Sequence, residues 1–154
     1  MMTFEDLLRP EHIELHPKAR NRDAAIREIA ELLTDSVQVL DVDELFEKVN
    51  QSAPCVVDQE AQFSLCIPHA RTAAVTAMVI SIGRFDRGLA IPGVEKPIRY
   101  IFCIAVPPEM ATDYLRIIGL IARIVKDPDS EQQIYSAETP GEFIATMARL
   151  EAKL

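Results

Sequence analysis

The sequence predicts a single α/β domain, residues 1–154, with a β-sheet sandwiched between helical layers. Two apolar runs, Val75–Gly83 and Arg99–Val106, show no in–out alternation and read as strands buried on both faces. Amphipathic helical patterns stand at both ends of the chain. With 154 residues, 49% of them hydrophobic and only 5 glycines, the chain can fill one sizeable core.

Each element has a local reason. In HIELH, Ile13 and Leu15 alternate with His12, Glu14 and His16, which predicts a short strand ended by Pro17. Between Arg20 and Thr34, the residues Ile26, Ile29, Ala30 and Leu33 recur at helical spacing. Asp41 and Glu44 form a capping-box pattern for a second helix carrying Leu45, Phe46 and Val49. Ser52–Ser64 has no clean period and reads as loop with one short strand. The Val75–Gly83 strand follows, then a turn-rich connection over Arg87–Pro97. The Arg99–Val106 strand ends at Pro107 and Pro108. Thr112 opens a helix with Leu115, Ile118, Ala122 and Val125 on one stripe, closed by Lys126 and Pro128. A short helix from about Ser130 comes next. Thr139, Pro140 and Glu142 then start a last helix that turns Phe143, Met147 and Leu150 inward.

A formal net charge of −8 repels phosphate backbones, so nucleic acid is not an expected partner. Basic proteins and cationic surfaces fit better. The first residues lack a basic stretch followed by an apolar one, so no secretion signal is expected. No uncharged apolar run is long enough to span a bilayer, so no membrane insertion is expected and a cytoplasmic location is. Cys55, Cys66 and Cys103 are odd in number and form no CxxC pair, so no disulfide is expected.

Chemistry concentrates at SLCIPHARTAAV, residues 64–75. Pro68 holds Ile67 extended and fixes its own φ, so the His69 imidazole is aimed in a defined direction. Imidazole can serve as nucleophile, general base or metal ligand. A serine-hydrolase elbow (Gly-x-Ser-x-Gly) is absent, as is a glycine-rich nucleotide loop. Cys66 and His69 make half a zinc knuckle without its other half, and Cys66 reads as a buried core residue. His12 and His16 would need to converge with a carboxylate to hold a metal. No metal and no cofactor are assigned.

LCIPHART, followed by VISIGRF and IRYIFCIAVPPEMATDYLRIIGLIARIV, resembles the enzyme IIA domain of the fructose/mannitol type in the phosphoenolpyruvate-dependent sugar phosphotransferase system. The nitrogen-regulatory enzyme IIA proteins, single-domain chains, are nearest in size. The resemblance implies a mixed β-sheet flanked by helices on both faces. It implies that His69 accepts a phosphoryl group from a phosphorylated HPr-like carrier, with no nucleotide, metal or other cofactor. The downstream partner it implies is a IIB domain in transport members and regulated target proteins in regulatory members. With no IIB or IIC segment in the chain, the expectation leans to regulation through protein–protein contacts over sugar transport.

Several family positions are rewritten. Arg-Glu is replaced by Ala53-Pro54 and Ser-Thr-Gly by Asp58-Gln59-Glu60, while Ser64 replaces a glycine. Gln62 and Phe63 stand where flexible, close-approach residues are expected. Tyr114 occupies the place of a second histidine, and Arg71 and Arg116 are the candidate replacements for its charge. Tyr114, Arg116 and Arg71 are therefore the supporting site residues beside His69. The alternative function is a degenerate, non-phosphorylated interaction module of the same fold.

Overall fold

The computed structural model describes residues 1–52, 56–57 and 63–154. The strands are β1 (Ile13–Glu14), β2 (Val56–Val57), β3 (Ser64–Cys66), β4 (His69–Arg71), β5 (Val79–Leu89) and β6 (Ile98–Val106). The helices are α1 (Phe4–Leu7), α2 (Arg22–Glu31), α3 (Val42–Gln51), α4 (Ala111–Lys126), α5 (Pro128–Tyr135) and α6 (Pro140–Ala152). The sheet order is β1-β5-β6-β3-β2, with β4 also laid against β6. β6 pairs antiparallel with β5 and parallel with β3 and β4, so the sheet is mixed.

Every residue of β6 is buried, as expected for a central strand covered on both faces. Its side chains sort by face. Tyr100, Phe102, Ile104 and Val106 pack with α1, α4, α5 and α6. Ile98, Ile101, Cys103 and Ala105 pack with α2 and α3. Helices therefore cover both faces. Gly83 lets α2 approach the sheet, because a Cβ there would stand 2.4 Å from Ile29 Cδ1. Gly88 has φ +78° beside Pro97, in an irregular stretch where the β5–β6 register shifts between Arg84 and Leu89.

Several boundaries differ from expectation. The HIELH strand shrinks to two residues, since His12 belongs to a 3₁₀ turn opened by Pro10. α1 was not foreseen, although Thr3 and Asp6 close a complete capping box on it. The strand expected from Val75 begins at Val79. Val75 bridges Val39 instead, and the Ala74 carbonyl accepts from Leu40 N–H, which ties the 72–78 segment to the chain after α2. β5 then runs on through Leu89 into the stretch read as turn. α4 starts at Ala111 behind a 3₁₀ turn and has no side-chain cap. α5 starts at Pro128, capped by Asp127. The buried residues of α4 are Tyr114, Ile117, Ile121, Ile124 and Val125; of the expected stripe Val125 is buried, while Leu115 is 66% exposed. The helix is apolar around most of its circumference, so the expected stripe and the observed one fit the 3.6-residue period about equally; packing selects the isoleucines. α2, α3 and α6 match expectation, with Phe143, Met147 and Leu150 buried.

Candidate functional site at the end of β4 and β6

β4 begins at His69, which pairs with Ile104 near the carboxyl end of β6. Ile104 N–H donates to the Pro68 carbonyl at 2.9 Å, so the Pro-His step is held by the central strand. His69 N–H donates to Ser52 Oγ at 3.0 Å, and the same hydroxyl donates to the Val49 carbonyl at 2.7 Å. Ser52 thus links the last turn of α3 to the backbone of the histidine. Sequence reading missed it, because a serine just past a helix carries no sign of its partner.

The His69 side chain is half-buried. Its Nδ1 lies 2.9 Å from the Ile67 carbonyl oxygen. A carbonyl can only accept, so Nδ1 carries the proton and the ring's lone pair resides on Nε2. Proline placement explains this contact: Ile67 is held extended and its carbonyl turns back toward the ring two residues on.

Tyr114 is buried in the first turns of α4, with its ring centroid 5.5 Å from that of His69 and the planes at 41°. The observed phase of α4 puts it there, since Tyr114 belongs to the same stripe as Ile117 and Ile121. Arg71 is exposed two residues along β4, on the strand side shared with His69. Arg116 is directed elsewhere. Its guanidinium donates to the Met2 carbonyl and lies 3.9 Å from Glu151, tying the chain's start to α6. The structure therefore gathers His69, Tyr114, Arg71 and Ser52 and separates Arg116 from them.

His12 and His16 do not converge. His12 is buried in a pocket against Met78 and Ile80, and burial lowers its pKa. His16 is exposed and lines a separate cleft with Lys18 and Arg87. Among the described residues, no group of three His, Cys, Asp or Glu side chains is placed to hold a metal. Cys66 and Cys103 are buried, and burial pushes the Cys103 thiol up to about 12. Cys55, Ala53-Pro54, Asp58-Gln59-Glu60 and Gln62 lie outside the described residues.

A second constellation, unforeseen from sequence, lies at the opposite end of β6. Arg99 Nη1 donates to both Glu131 oxygens, at 3.0 and 3.1 Å. Its guanidinium carbon stands 3.4 Å from the Phe63 ring centroid and 3.9 Å from that of Tyr135. Tyr100 donates to Glu131 Oε2 at 2.7 Å, and burial together with that carboxylate raises the phenol's pKa. Arg84 is buried, donating to the Ile134 and Ala137 carbonyls at 3.0 and 2.7 Å and to Asp86 at 2.7 Å. These contacts satisfy the carboxyl end of α5 and bind it to the sheet.

Residues 6–149 match the family model described as "Phosphoenolpyruvate-dependent sugar phosphotransferase system, EIIA 2". A relative from Haloferax volcanii, "PTS system fructose-specific EIIA component", is 27% identical over 134 residues, 84% of each chain. The crystal structure of nitrogen regulatory protein IIA-Ntr from Neisseria meningitidis matches with a TM-score of 0.79 at 19% identity, covering 93% of this chain and 97% of that one. The complex of enzyme IIA-Mtl and phosphorylated enzyme IIB-Mtl from Escherichia coli matches with a TM-score of 0.71 at 17% identity, covering 92% and 97%. The mixed sheet, the helices on both its faces and a family match over nearly the whole length agree: the chain belongs to the EIIA 2 family of the phosphoenolpyruvate-dependent sugar phosphotransferase system.

Proposed function

We propose that this protein is a cytoplasmic phosphocarrier that takes a phosphoryl group onto His69 Nε2 from a phosphohistidine of an HPr-like carrier. The observation that carries the reading is the 2.9 Å contact from Nδ1–H to the Ile67 carbonyl, which directs the lone pair to Nε2. In the transfer, that pair forms the new N–P bond while the donor's N–P bond breaks and its electrons return to the donor ring. Positive charge then grows on the His69 ring, and the Ile67 carbonyl stabilises it through the Nδ1 proton. Little acid–base chemistry is required; alignment and charge neutralisation do most of the work.

Alignment comes from the two backbone ties of β4, to Ser52 and to Ile104. Tyr114 limits where the ring can lie and brings a phenol to the site. Arg71 supplies the cation for the phosphoryl oxygens, being on the same strand side and exposed. A IIB domain is the acceptor downstream, or a regulated target protein reads the phosphorylated state. A solved relative of this fold bound to a phosphorylated IIB partner supports the first.

One observation favours the non-phosphorylated interaction module. Among the described residues, the buried arginines are Arg84 and Arg99, both at the far end of the sheet. Losing one well-placed donor costs a phosphoryl site on the order of 3 kcal/mol, or ~100-fold in rate. Incubation with phosphoenolpyruvate, enzyme I and the cognate HPr-like carrier, followed by intact mass measurement, separates the readings. A phosphoryl adduct on the native chain and none on His69→Ala is expected. No adduct on the native chain overturns the phosphocarrier and leaves the interaction module.

A further inference from the structure

Pro17 does more than end a strand. β1 keeps only two pairs with β5, at Ile13–Ile82 and Glu14–Gly83; the His16 N–H then donates to the Glu14 carboxylate at 3.0 Å, and Pro17 has no N–H with which to resume the ladder. The following residues are drawn toward α2 instead. Lys18 and Ala19 N–H both donate to the Glu28 carboxylate, at 2.9 and 2.8 Å. Meanwhile β5 passes through its irregular stretch, Phe85–Gly88, where the ladder to β6 shifts register. The two segments part and leave a cleft of about 650 Å³ between residues 15–20 and 84–88. Its size lies within the roughly 300–1,000 Å³ typical of small-molecule sites.

The lining is basic in a chain of net charge −8. His16, Lys18, Arg20 and Arg87 all line it, and all four are exposed. Among the described residues, none of the four forms an ion pair. Opposing charge there is already committed: Asp86 is held by Arg84 at 2.7 Å, and Glu28 by the two backbone N–H groups. Elsewhere this acidic chain pairs Arg22, Arg27, Arg99 and Arg116 with carboxylates. Unpaired cations from two separate segments, facing one concavity, focus positive potential locally where the molecule as a whole repels anions.

We propose that this cleft binds a small phosphorylated metabolite, with Lys18, Arg20 and Arg87 contacting its phosphate oxygens. A concave, cation-lined space between two segments suits a compact multivalent anion better than an extended acidic peptide, which needs a longer groove. The site is separate from His69, since Arg84 pairs with Tyr100 whereas His69 pairs with Ile104, so the proposal does not depend on phosphoryl transfer.

The test titrates the full chain with inorganic pyrophosphate at constant ionic strength, chloride being the replaced anion, and follows backbone amide shifts by NMR. Saturable shifts at Lys18, Arg20, Arg87 and Gly88 are expected. The double variant Lys18→Glu/Arg87→Glu changes only exposed side chains, and its binding should weaken by about ten-fold or more. His69→Ala should bind as the native chain does. Shifts that never saturate, or that persist unchanged in the double variant, overturn the site. Shifts that centre on His69, or vanish in His69→Ala, overturn it too, by moving the anion to the other end. Binding of a poly-glutamate peptide without binding of pyrophosphate overturns the small-molecule assignment.

Discussion

The two ends of β6 handle charge in opposite ways. At Ile98–Tyr100, two guanidiniums are buried, stacked on aromatic rings and matched by Glu131, Asp86 and the terminal carbonyls of α5. At Ile104–Val106, the ionisable side chain is a half-buried imidazole, with a tyrosine ring beside it and an exposed arginine two residues on. The first arrangement neutralises charge permanently and fastens a helix to the sheet. The second holds an imidazole with its Nδ1 against the Ile67 carbonyl, between the sheet and α4. A residue's charge therefore says little about function here; what separates the ends is how deeply the charged side chains are buried.

The largest effect expected from probing this difference is on stability. Arg99→Met removes the ion pair to Glu131 and the stack between Phe63 and Tyr135, leaving a carboxylate at a mostly buried position with Tyr100 as its remaining partner. Breaking one side of a buried pair costs about 3 kcal/mol or more. Thermal unfolding should show a clear drop in Tm, while the rate of phosphoryl transfer to the folded fraction stays unchanged. A variant with native Tm, or one that loses transfer while folded, would show that the two ends are not divided in this way.

The next effect is kinetic and belongs to the other end. Tyr114→Phe keeps the ring beside His69 and removes only the hydroxyl. If the phenol contributes a hydrogen bond to the transferring phosphoryl group, transfer should slow by about ten-fold with Tm nearly unchanged. Tyr114→His, which restores an imidazole at this place, should run faster than the native chain. Equal rates for all three would reduce Tyr114 to a packing residue, and charge at this end would rest on Arg71.

The contrast also explains what was legible. His69 stood out because its signal is local: a proline directly before it and an apolar strand soon after. The strand cores, the caps at Asp41 and Thr139 and the inward face of α6 are likewise short-range patterns. Arg99 offered no such signal, because Glu131 is 32 residues away, Tyr135 shares its helix, and Phe63 comes from before β3. Ser52 lies 17 residues from the amide it accepts. α4 failed in phase for a different reason: two adjacent apolar stripes satisfied the same period, and only the sheet surface chose between them. Tyr114 lies on the stripe the sheet chose, against His69, where the family resemblance had placed it.

The smallest effect concerns a second ionisable group at the His69 end. His12 is buried beside Ile80, which pairs with Ile104, the residue that also pairs with His69. Desolvation lowers its pKa in the fold, with Glu11 opposing and Arg9 adding to the shift. A folded-state pKa below the unfolded one means the unfolded chain binds more protons in that interval. The contribution of neutral His12 is therefore complete above the ordinary histidine value, about 6.5, and is lost as pH falls toward the folded-state value. Stability measured by denaturant titration should decline across that acid side, and His12→Gln should flatten the decline without altering stability at higher pH by the same amount. A slope identical in His12→Gln would place the acid sensitivity in the carboxylates, and the near end would then hold no buried group that responds to protons in this range.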